Sequence, residues 1–198
     1  TDQTRAISII APFLNEEKNL PLLYSRIAAV MKNRPETWEL ILVDDFSRDG
    51  TRDLLRAEEA KPNTAVLYHE RNRGKGAAIR TGLTAVRGDV VIIQDADLEY
   101  DPNDIPSVLE PILAGRVQVA YGSRFMGSVK KMRLPNRVAN WILAHSVSLL
   151  YGQKITDEAT AYKAFRREVI QGVNLECERF EFCPEVTAKV LKQGFRIE

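Results

Sequence analysis

Apolar residues fall along this chain in two alternating rhythms. Short runs rich in β-branched and other apolar residues, AISIIAP (6–12), WELILVDD (38–45), TAVLYHE (64–70), DVVIIQDAD (89–97) and VQVAYGSR (117–124), have the length and composition of buried strands. The segments between them are helical. EEKNLPLLYSRIAAVMKN places Leu20, Leu23, Tyr24, Ile27 and Val30 on one face. SRDGTRDLLRAEEA opens a second helix with Ser47 or Asp49 as its cap, GKGAAIRTGLTAVRG a third that ends on Gly88, and DPNDIPSVLEPILAG a fourth with Pro102 in its first turn. The alternation predicts an α/β fold, a mostly parallel, Rossmann-like sheet flanked by helices on both faces. Such sheets bind ligands beyond the carboxyl ends of their strands. The polar clusters PFLNEE, VDDFS, DADLE and GSR all fall at that edge, which points to one shared site.

Composition narrows the class. The 198 residues suit a single domain with a sizeable core, and no internal repeat or low-complexity tract interrupts them. A net charge of +1 gives no global basic field, so nucleic acid is not an expected partner. Cys177 and Cys183 lack the paired spacing of a zinc site and read as reduced thiols. No apolar run reaches the ~20 residues of a membrane span, and TDQTRAISII is no signal peptide, so a soluble, cytoplasmic chain is expected.

The acids ask for a counter-ion. Asp95, Asp97 and Glu99, with Asp101 just beyond, crowd like charge onto the end of a core strand. A dinucleotide fold would need G-x-G-x-x-G after the first strand, where APFLNEE has no glycine, and RNRGKGAAIRTG lacks the spacing of a phosphate-cradling loop. A hard divalent cation, Mg²⁺ or Mn²⁺, takes oxygen ligands from one or two carboxylates and shares the rest with substrate phosphates. The plainer alternative is a solvated acidic turn that caps the helix at Pro102.

APFLNEEKNL, ELILVDDFSRDGT, NRGKGAAIRTGL, VIIQDADLEYDP and VAYGSRF, in this order and spacing, resemble the family 2 glycosyltransferases of the GT-A fold, and within them the dolichyl- and polyprenyl-phosphate sugar synthases. ITDEATAYKAFRREVI and EFCPEVTAKVLKQGFRIE extend the likeness over nearly the whole chain. The resemblance implies one catalytic domain over 1–198, related chains continuing further. It implies a nucleotide site at Pro12, Leu14, Glu16, Val43, Asp44, Asp45, Lys75, Asp95 and Ala96, and metal ligands Asp97 and Glu99 for Mg²⁺ or Mn²⁺. Catalytic duties fall to Asp95 beside the donor sugar, Arg124 on the diphosphate and Asp157 near the acceptor. Glu99 stands where the family often has glutamine, and Ala161 where it usually has glycine. Glu16 reads equally as a helix-entry acid, Lys75 as a solvated helix-end lysine, and Glu181 and Glu185 as structural or functional. Lys163 and Arg166 serve an acceptor phosphate or cover the sheet, and His69 and His145 are expected to be packing residues without partners.

SVKKMRLPNRVANWILAHSVSLLYG changes character. Lys130, Lys131, Arg133 and Arg137 lead into Val138, Trp141, Ile142, Val147, Leu149 and Leu150, which suits an anionic membrane surface and a lipid phosphate, or else an amphipathic helix covering the sheet. The reading that results is a metal-dependent, inverting transferase, peripheral to the cytoplasmic face of a membrane. It would move a sugar from a GDP- or UDP-linked donor to a polyprenyl phosphate. A transferase onto a glycan hydroxyl and a silent nucleotide-sugar-binding module are the alternatives.

Overall fold

The computed structural model describes residues 6–123, 134–179 and 181–198, with 134–139 described by backbone alone. In chain order the elements are β1 (Ile7–Phe13), α1 (Leu20–Lys32), β2 (Trp38–Asp44), α2 (Thr51–Glu58), β3 (Thr64–Tyr68), α3 (Lys75–Leu83), β4 (Val90–Ile93), α4 (Ile105–Leu113), β5 (Val119–Tyr121), α5 (Leu134–Tyr151), β6 (Lys163–Arg166), α6 (Arg167–Gly172) and α7 (Phe182–Lys192). A 3₁₀ turn, Pro102–Asp104, leads into α4.

The strands form one sheet in the order β3-β2-β1-β4-β6-β5. The neighbours among β3, β2, β1 and β4 run parallel, whereas β6 is antiparallel to both β4 and β5. The strand β6 has no counterpart in the sequence-based reading, whose fifth and last strand is VQVAYGSR. Its apolar run is only Ala164 and Phe165, flanked by Lys163 and Arg166, so it carries no alternation to detect. Tertiary pairing makes it a strand: Val91 sits opposite Phe165, and Ala120 opposite Ala164.

Strand side chains alternate between two cores, as period two requires. Ile7, Ile9, Ala11 and Phe13 pack with Leu20, Leu23 and Ile27 of α1, Leu55 of α2 and Ile105 and Leu109 of α4. Ile10, Ile41, Val43, Val91 and Ile93 pack on the other face with Ala78 and Ile79 of α3, Val169 and Ile170 of α6 and Val186 and Val190 of α7. Each Val, Leu, Ile or Phe side chain among these contributes about 1.5–3 kcal/mol on full burial. Among the described residues no helix is long and apolar enough to cross a membrane.

Close approach of α3 to the sheet depends on Gly82. A Cβ there would lie 2.6 Å from Ile10 Cγ2 and 3.3 Å from Val43 Cγ2. Alanine is favoured over glycine in a helix by about 1 kcal/mol, but overpacking a core position costs roughly 1–3 kcal/mol. Gly82→Ala is therefore expected to lower the urea midpoint without changing the slope of the transition; a variant as stable as the parent would mean that Ile10 yields freely.

Candidate active site

Three loops leave the carboxyl ends of β1, β2 and β4, and the first two are clasped together. Asn15 N donates to Ser47 Oγ (2.9 Å), Arg48 N to Asn15 Oδ1 (2.8 Å), Glu16 N to Thr51 Oγ1 (2.8 Å) and Gly50 N to Glu17 Oε2 (2.7 Å). Leu14 is exposed on this rim beside half-buried Pro12. Glu16 accepts from Asn19 Nδ2 at 2.7 Å, which occupies one of its oxygens at the entry to α1. Asn15, Phe46 and Leu98 are the non-glycine residues with positive φ among those described, at 58°, 72° and 60°. All three lie in these loops, and such backbone costs about 1 kcal/mol or more each unless its surroundings fix it.

The two acids after β2 face inward. Asp44 is fully buried and accepts from Arg52 Nε (2.5 Å) and from the amides of Phe46 (3.2 Å) and Ser47 (3.1 Å). Asp45 is buried beside it and accepts from His69 Nδ1 (2.7 Å), Arg73 N (2.8 Å) and Gly74 N (2.7 Å). Val43 lies in the core beneath α3. These three support the rim from below, their side chains already occupied by the chain itself. The expectation for His69 is corrected: both ring nitrogens have partners, Nε2 lying 2.8 Å from Thr81 Oγ1. A histidine between Tyr68 and Glu70 gives no sign of an acid at the end of the neighbouring strand, 24 residues away in sequence. The expectation for His145 is corrected too: it is exposed rather than packed, with Nδ1 2.9 Å from the Trp141 carbonyl oxygen one helical turn back and its ring 4.1 Å from the indole.

The acidic turn after β4 is built on a buried polar frame. Gln94 Nε2 donates to the Asp95 carbonyl (2.9 Å), and Tyr162 Oη donates toward Gln94 Oε1 (2.5 Å) and the Asp101 carbonyl (2.8 Å). The Tyr100 hydroxyl accepts from Ala161 N (3.1 Å). Gln94 and Tyr162 were absent from the candidate set. A glutamine closing an all-apolar strand run was the one available signal, because a buried amide must be satisfied. On this frame Leu98 packs against the core with its backbone turned to positive φ, and Asp97 and Glu99 on either side are exposed. Asp97 Oδ1 accepts from Glu99 N at 3.0 Å. Asp95 and Ala96 sit lower, and both Asp95 oxygens meet Lys75 Nζ, at 2.5 and 2.7 Å.

This donor set suits a hard divalent ion. Asp97 and Glu99 offer exposed carboxylate oxygens and no thiolate or imidazole; among the described residues no group of three or more His, Cys, Asp or Glu could hold a metal ion by itself. A site that completes its shell with substrate phosphates has that composition.

The amino end of α3, which the glycines of RNRGKGAAIRTG open, is closed by the chain's own backbone. Gly76 N donates to the Arg179 carbonyl (3.0 Å) and Ala77 N to that of Glu178 (2.9 Å). A Cβ at Gly74 would lie 2.5 Å from Glu178 O, and one at Gly76 would lie 2.9 Å from Arg179 O. The segment 176–179 is in turn held by Glu185, which accepts from Glu176 N and Cys177 N, each at 2.8 Å, and from Lys189 Nζ at 2.6 Å. Burial alone would raise the Glu185 carboxyl. Hydrogen bonds from the Cys177 thiol, Lys189 and the two amides outweigh it and hold the group at about 2. The Cys177 thiol is pushed up to about 12 by burial and by the Glu185 carboxylate. Glu185 is thus a structural pin, and Glu181 holds the Arg179 amide (3.1 Å).

Asp157 is only 2% exposed, and its Oδ1 accepts from Asn140 Nδ2 of α5 at 2.8 Å. Lys163 is fully buried, with Nζ donating to the Glu158 carbonyl (2.7 Å) and lying 3.7 Å from the Tyr121 ring centroid. Burial lowers the Lys163 amine and raises the Glu158 carboxyl. Arg124, Lys130, Lys131 and Arg133 lie outside the described residues, as does the side chain of Arg137.

With this geometry in place, comparison with known proteins identifies the class. The glycosyl transferase family 2 model matches residues 8–173, and the chain belongs to that family. It is 34% identical over 192 residues to an undecaprenyl-phosphate 4-deoxy-4-formamido-L-arabinose transferase of Shewanella sediminis, covering 96% of this chain and 55% of the relative. It is 31% identical over 191 residues to a dodecaprenyl-phosphate galacturonate synthase of Rhizobium johnstonii, covering 96% and 56%. The chain therefore spans little more than half the length of these curated relatives. Its fold matches the glucosyl-3-phosphoglycerate synthase of Mycobacterium tuberculosis, crystallised with Mn²⁺, UDP and phosphoglyceric acid, at a TM-score of 0.74 and 24% identity over 96% of this chain and 65% of that one. The GT-A architecture expected from the sequence is the architecture present.

Glu185 supplies a pH test of the site's scaffold. Its folded carboxyl, at about 2, is a stronger acid than the ordinary glutamate at 4.5, so its contribution is complete above pH 4.5 and is lost as pH falls towards 2. A depression of this size contributes on the order of 2 kcal/mol. Glu185→Gln is expected to be less stable than the parent at pH 7, with the gap closing between pH 4.5 and 2 in urea titrations. A gap that persists unchanged at pH 2.5 would assign the loss to packing instead.

Proposed function

We propose that this chain is the catalytic part of an inverting glycosyltransferase. It transfers a sugar from a uridine- or guanosine-diphosphate donor to a polyprenyl phosphate at the cytoplasmic face of a membrane. The observation that carries the reading is the acidic turn after β4. Asp97 and Glu99 point to solvent at the ligand-binding edge of the sheet, while every acid beneath them is paired within the chain. Relatives of 31–34% identity over 96% of the chain that carry polyprenyl-phosphate transferase names support the acceptor class.

The residues divide the work as follows. Pro12, Leu14 and Glu16 border the nucleoside, with Val43, Asp44 and Asp45 supporting that rim and Ala96 flooring it. Asp97 and Glu99 would hold Mg²⁺ or Mn²⁺, which when bound neutralises the diphosphate and stabilises it as a leaving group. Lys75 brings a second cation to the same end, and Asp95 fixes its ammonium. Arg124 is assigned to the departing diphosphate on resemblance, because a guanidinium holds phosphate oxygens in a bidentate way. The acceptor phosphate attacks the anomeric carbon from the opposite face, so the configuration inverts. A phosphate monoester has its second pKa near 6 and is largely dianionic at pH 7, so it needs orientation rather than deprotonation. The burial of Asp157 against Asn140 favours this acceptor over a glycan hydroxyl, whose proton a base would have to reach. Trp141, Leu149 and Leu150 on α5 are 58%, 87% and 76% exposed, an apolar surface that suits insertion at a lipid interface.

Three outcomes are expected. Asp97→Ala should abolish metal-dependent binding of UDP or GDP in calorimetry while the thermal midpoint stays near that of the parent; tight binding by this variant in EDTA would sink the metal assignment. Asp157→Asn should keep appreciable transfer to a short-chain polyprenyl phosphate, whereas loss of a general base costs roughly 100-fold to 10,000-fold. A collapse of that size, together with transfer to a saccharide, would move the acceptor to a glycan hydroxyl. Trp141→Ser combined with Leu149→Ser and Leu150→Ser should lower co-sedimentation with anionic vesicles, and unchanged binding would remove α5 from the membrane face.

A further inference from the structure

Between β3 and the start of α3 the structure holds a continuous chain of buried and part-buried hydrogen bonds, centred on a residue to which the proposed chemistry assigns no role. Its centre is His69, directly after β3. The His69 backbone is fixed from two sides: its N–H donates to the Asp44 carbonyl at 2.9 Å, and its carbonyl accepts from Arg52 Nη2 at 2.5 Å. The ring is buried between two elements. Nδ1 lies 2.7 Å from Asp45 Oδ1, and Nε2 lies 2.8 Å from Thr81 Oγ1 on α3. An ionised carboxylate only accepts, so Nδ1 carries the proton, and in the neutral ring Nε2 accepts from the Thr81 hydroxyl.

Asp45 passes this constraint on. The oxygen that meets the ring also accepts from Arg73 N at 2.8 Å, and its other oxygen accepts from Gly74 N at 2.7 Å. Two successive amides of one turn therefore converge on a carboxylate whose orientation the imidazole sets. Gly74 adopts φ 90°, a conformation that other residues rarely adopt, and a Cβ there would collide with Glu178 O. The next residue is Lys75, whose ammonium lies within hydrogen-bond distance of both oxygens of Asp95. A lysine stem has four rotatable carbons, so where its ammonium can reach depends on where the turn places its Cα.

We infer that His69 is a positioning residue: through Asp45 it fixes the turn 73–75 and so directs Lys75 to the diphosphate end of the site. The fixing of the turn stands on the geometry alone. The direction of Lys75 toward a diphosphate rests on the proposed function. A leucine would fill the same volume but would withdraw one of the three donors to Asp45, leaving the two turn amides alone to hold a buried carboxylate.

The test uses variants that separate the donor from the volume. In His69→Asn the amide nitrogen takes the position of Nδ1 and keeps the donor to Asp45, while His69→Leu removes it. Each is made alone and together with Lys75→Met. Calorimetry measures UDP and GDP binding with Mn²⁺, and hydrogen exchange follows the amides of Arg73 and Gly74. Supporting residues of this kind cost roughly tenfold in affinity when removed, so His69→Leu is expected to weaken binding by about that factor and to speed exchange at both amides. His69→Asn should stay within about threefold of the parent in both readouts, and His69→Leu should add almost nothing once Lys75 is methionine, the signature of a shared path in a double-mutant cycle. An undiminished loss in the Lys75→Met background, or unchanged exchange at Arg73 and Gly74 in His69→Leu, overturns the inference. Where His69→Leu does not fold, His69→Gln replaces it, its amide following Nε2 toward Thr81 and giving up the donor to Asp45. A parent chain that binds neither nucleotide overturns the reading of the site, and amide exchange then decides the positioning by itself.

Discussion

Like charges at the carboxyl ends of parallel strands must be met before any ligand arrives. Asp44, Asp45 and Asp95 stand at the ends of β2 and β4, partly or wholly out of water, and an unpaired buried carboxylate is far too costly to keep. Each is met within the chain: Asp44 by Arg52, Asp45 by His69 and two amides, Asp95 by Lys75. The rim takes its shape from these pairings, because the donors come from α2, from the turn before α3 and from α3 itself. Satisfying the acids and building the site are the same event. Asp97 and Glu99, exposed one step further out, are the acids with no such duty toward the core.

The fold was largely legible because its signal is periodic. Ile7, Ile9 and Ala11 against Ile10, and the spacing of Leu20, Leu23 and Ile27, are patterns that a buried sheet and an amphipathic helix each require. What could not be read was β6. Lys163 is interior in the structure although lysine is rarely so; the Glu158 carbonyl, the Tyr121 ring and the charges of Glu158 and Asp157 make that tolerable. Likewise the edge that carries the polar clusters was legible, whereas the division of its acids into inner and outer was not. Asp45 and Asp97 look alike in sequence, and what separates them is a histidine 24 residues away. Such partners are contacts across strands, with no periodicity to betray them.

The glycines before α3 carry a related lesson. A glycine-rich turn opening a helix suggests a phosphate cradle, since helix amino ends attract anions. Here the first amides of α3 already donate to the carbonyls of Glu178 and Arg179, and the glycines are small because that backbone lies against them. The segment stays there because Glu185 holds it, as an acid strong enough to remain ionised at ordinary pH.

Closing that helix end has a consequence for charge. A diphosphate at this edge cannot draw on the Gly76 and Ala77 amides, so under the proposed function more of its compensation would fall to side chains and to an ion held by oxygen ligands. Lys75 is the described cation best placed, and it is already neutralising Asp95. A cation shared between a fixed acid and an incoming phosphate contributes less than a whole charge to either. Under the proposed function the outer acids are more than surface: they would hold a divalent ion whose charge adds to that of the shared lysine. On this argument the crowding of Asp95, Asp97 and Glu99 on one strand end is a division of labour, the first steering a lysine and the other two available to a metal.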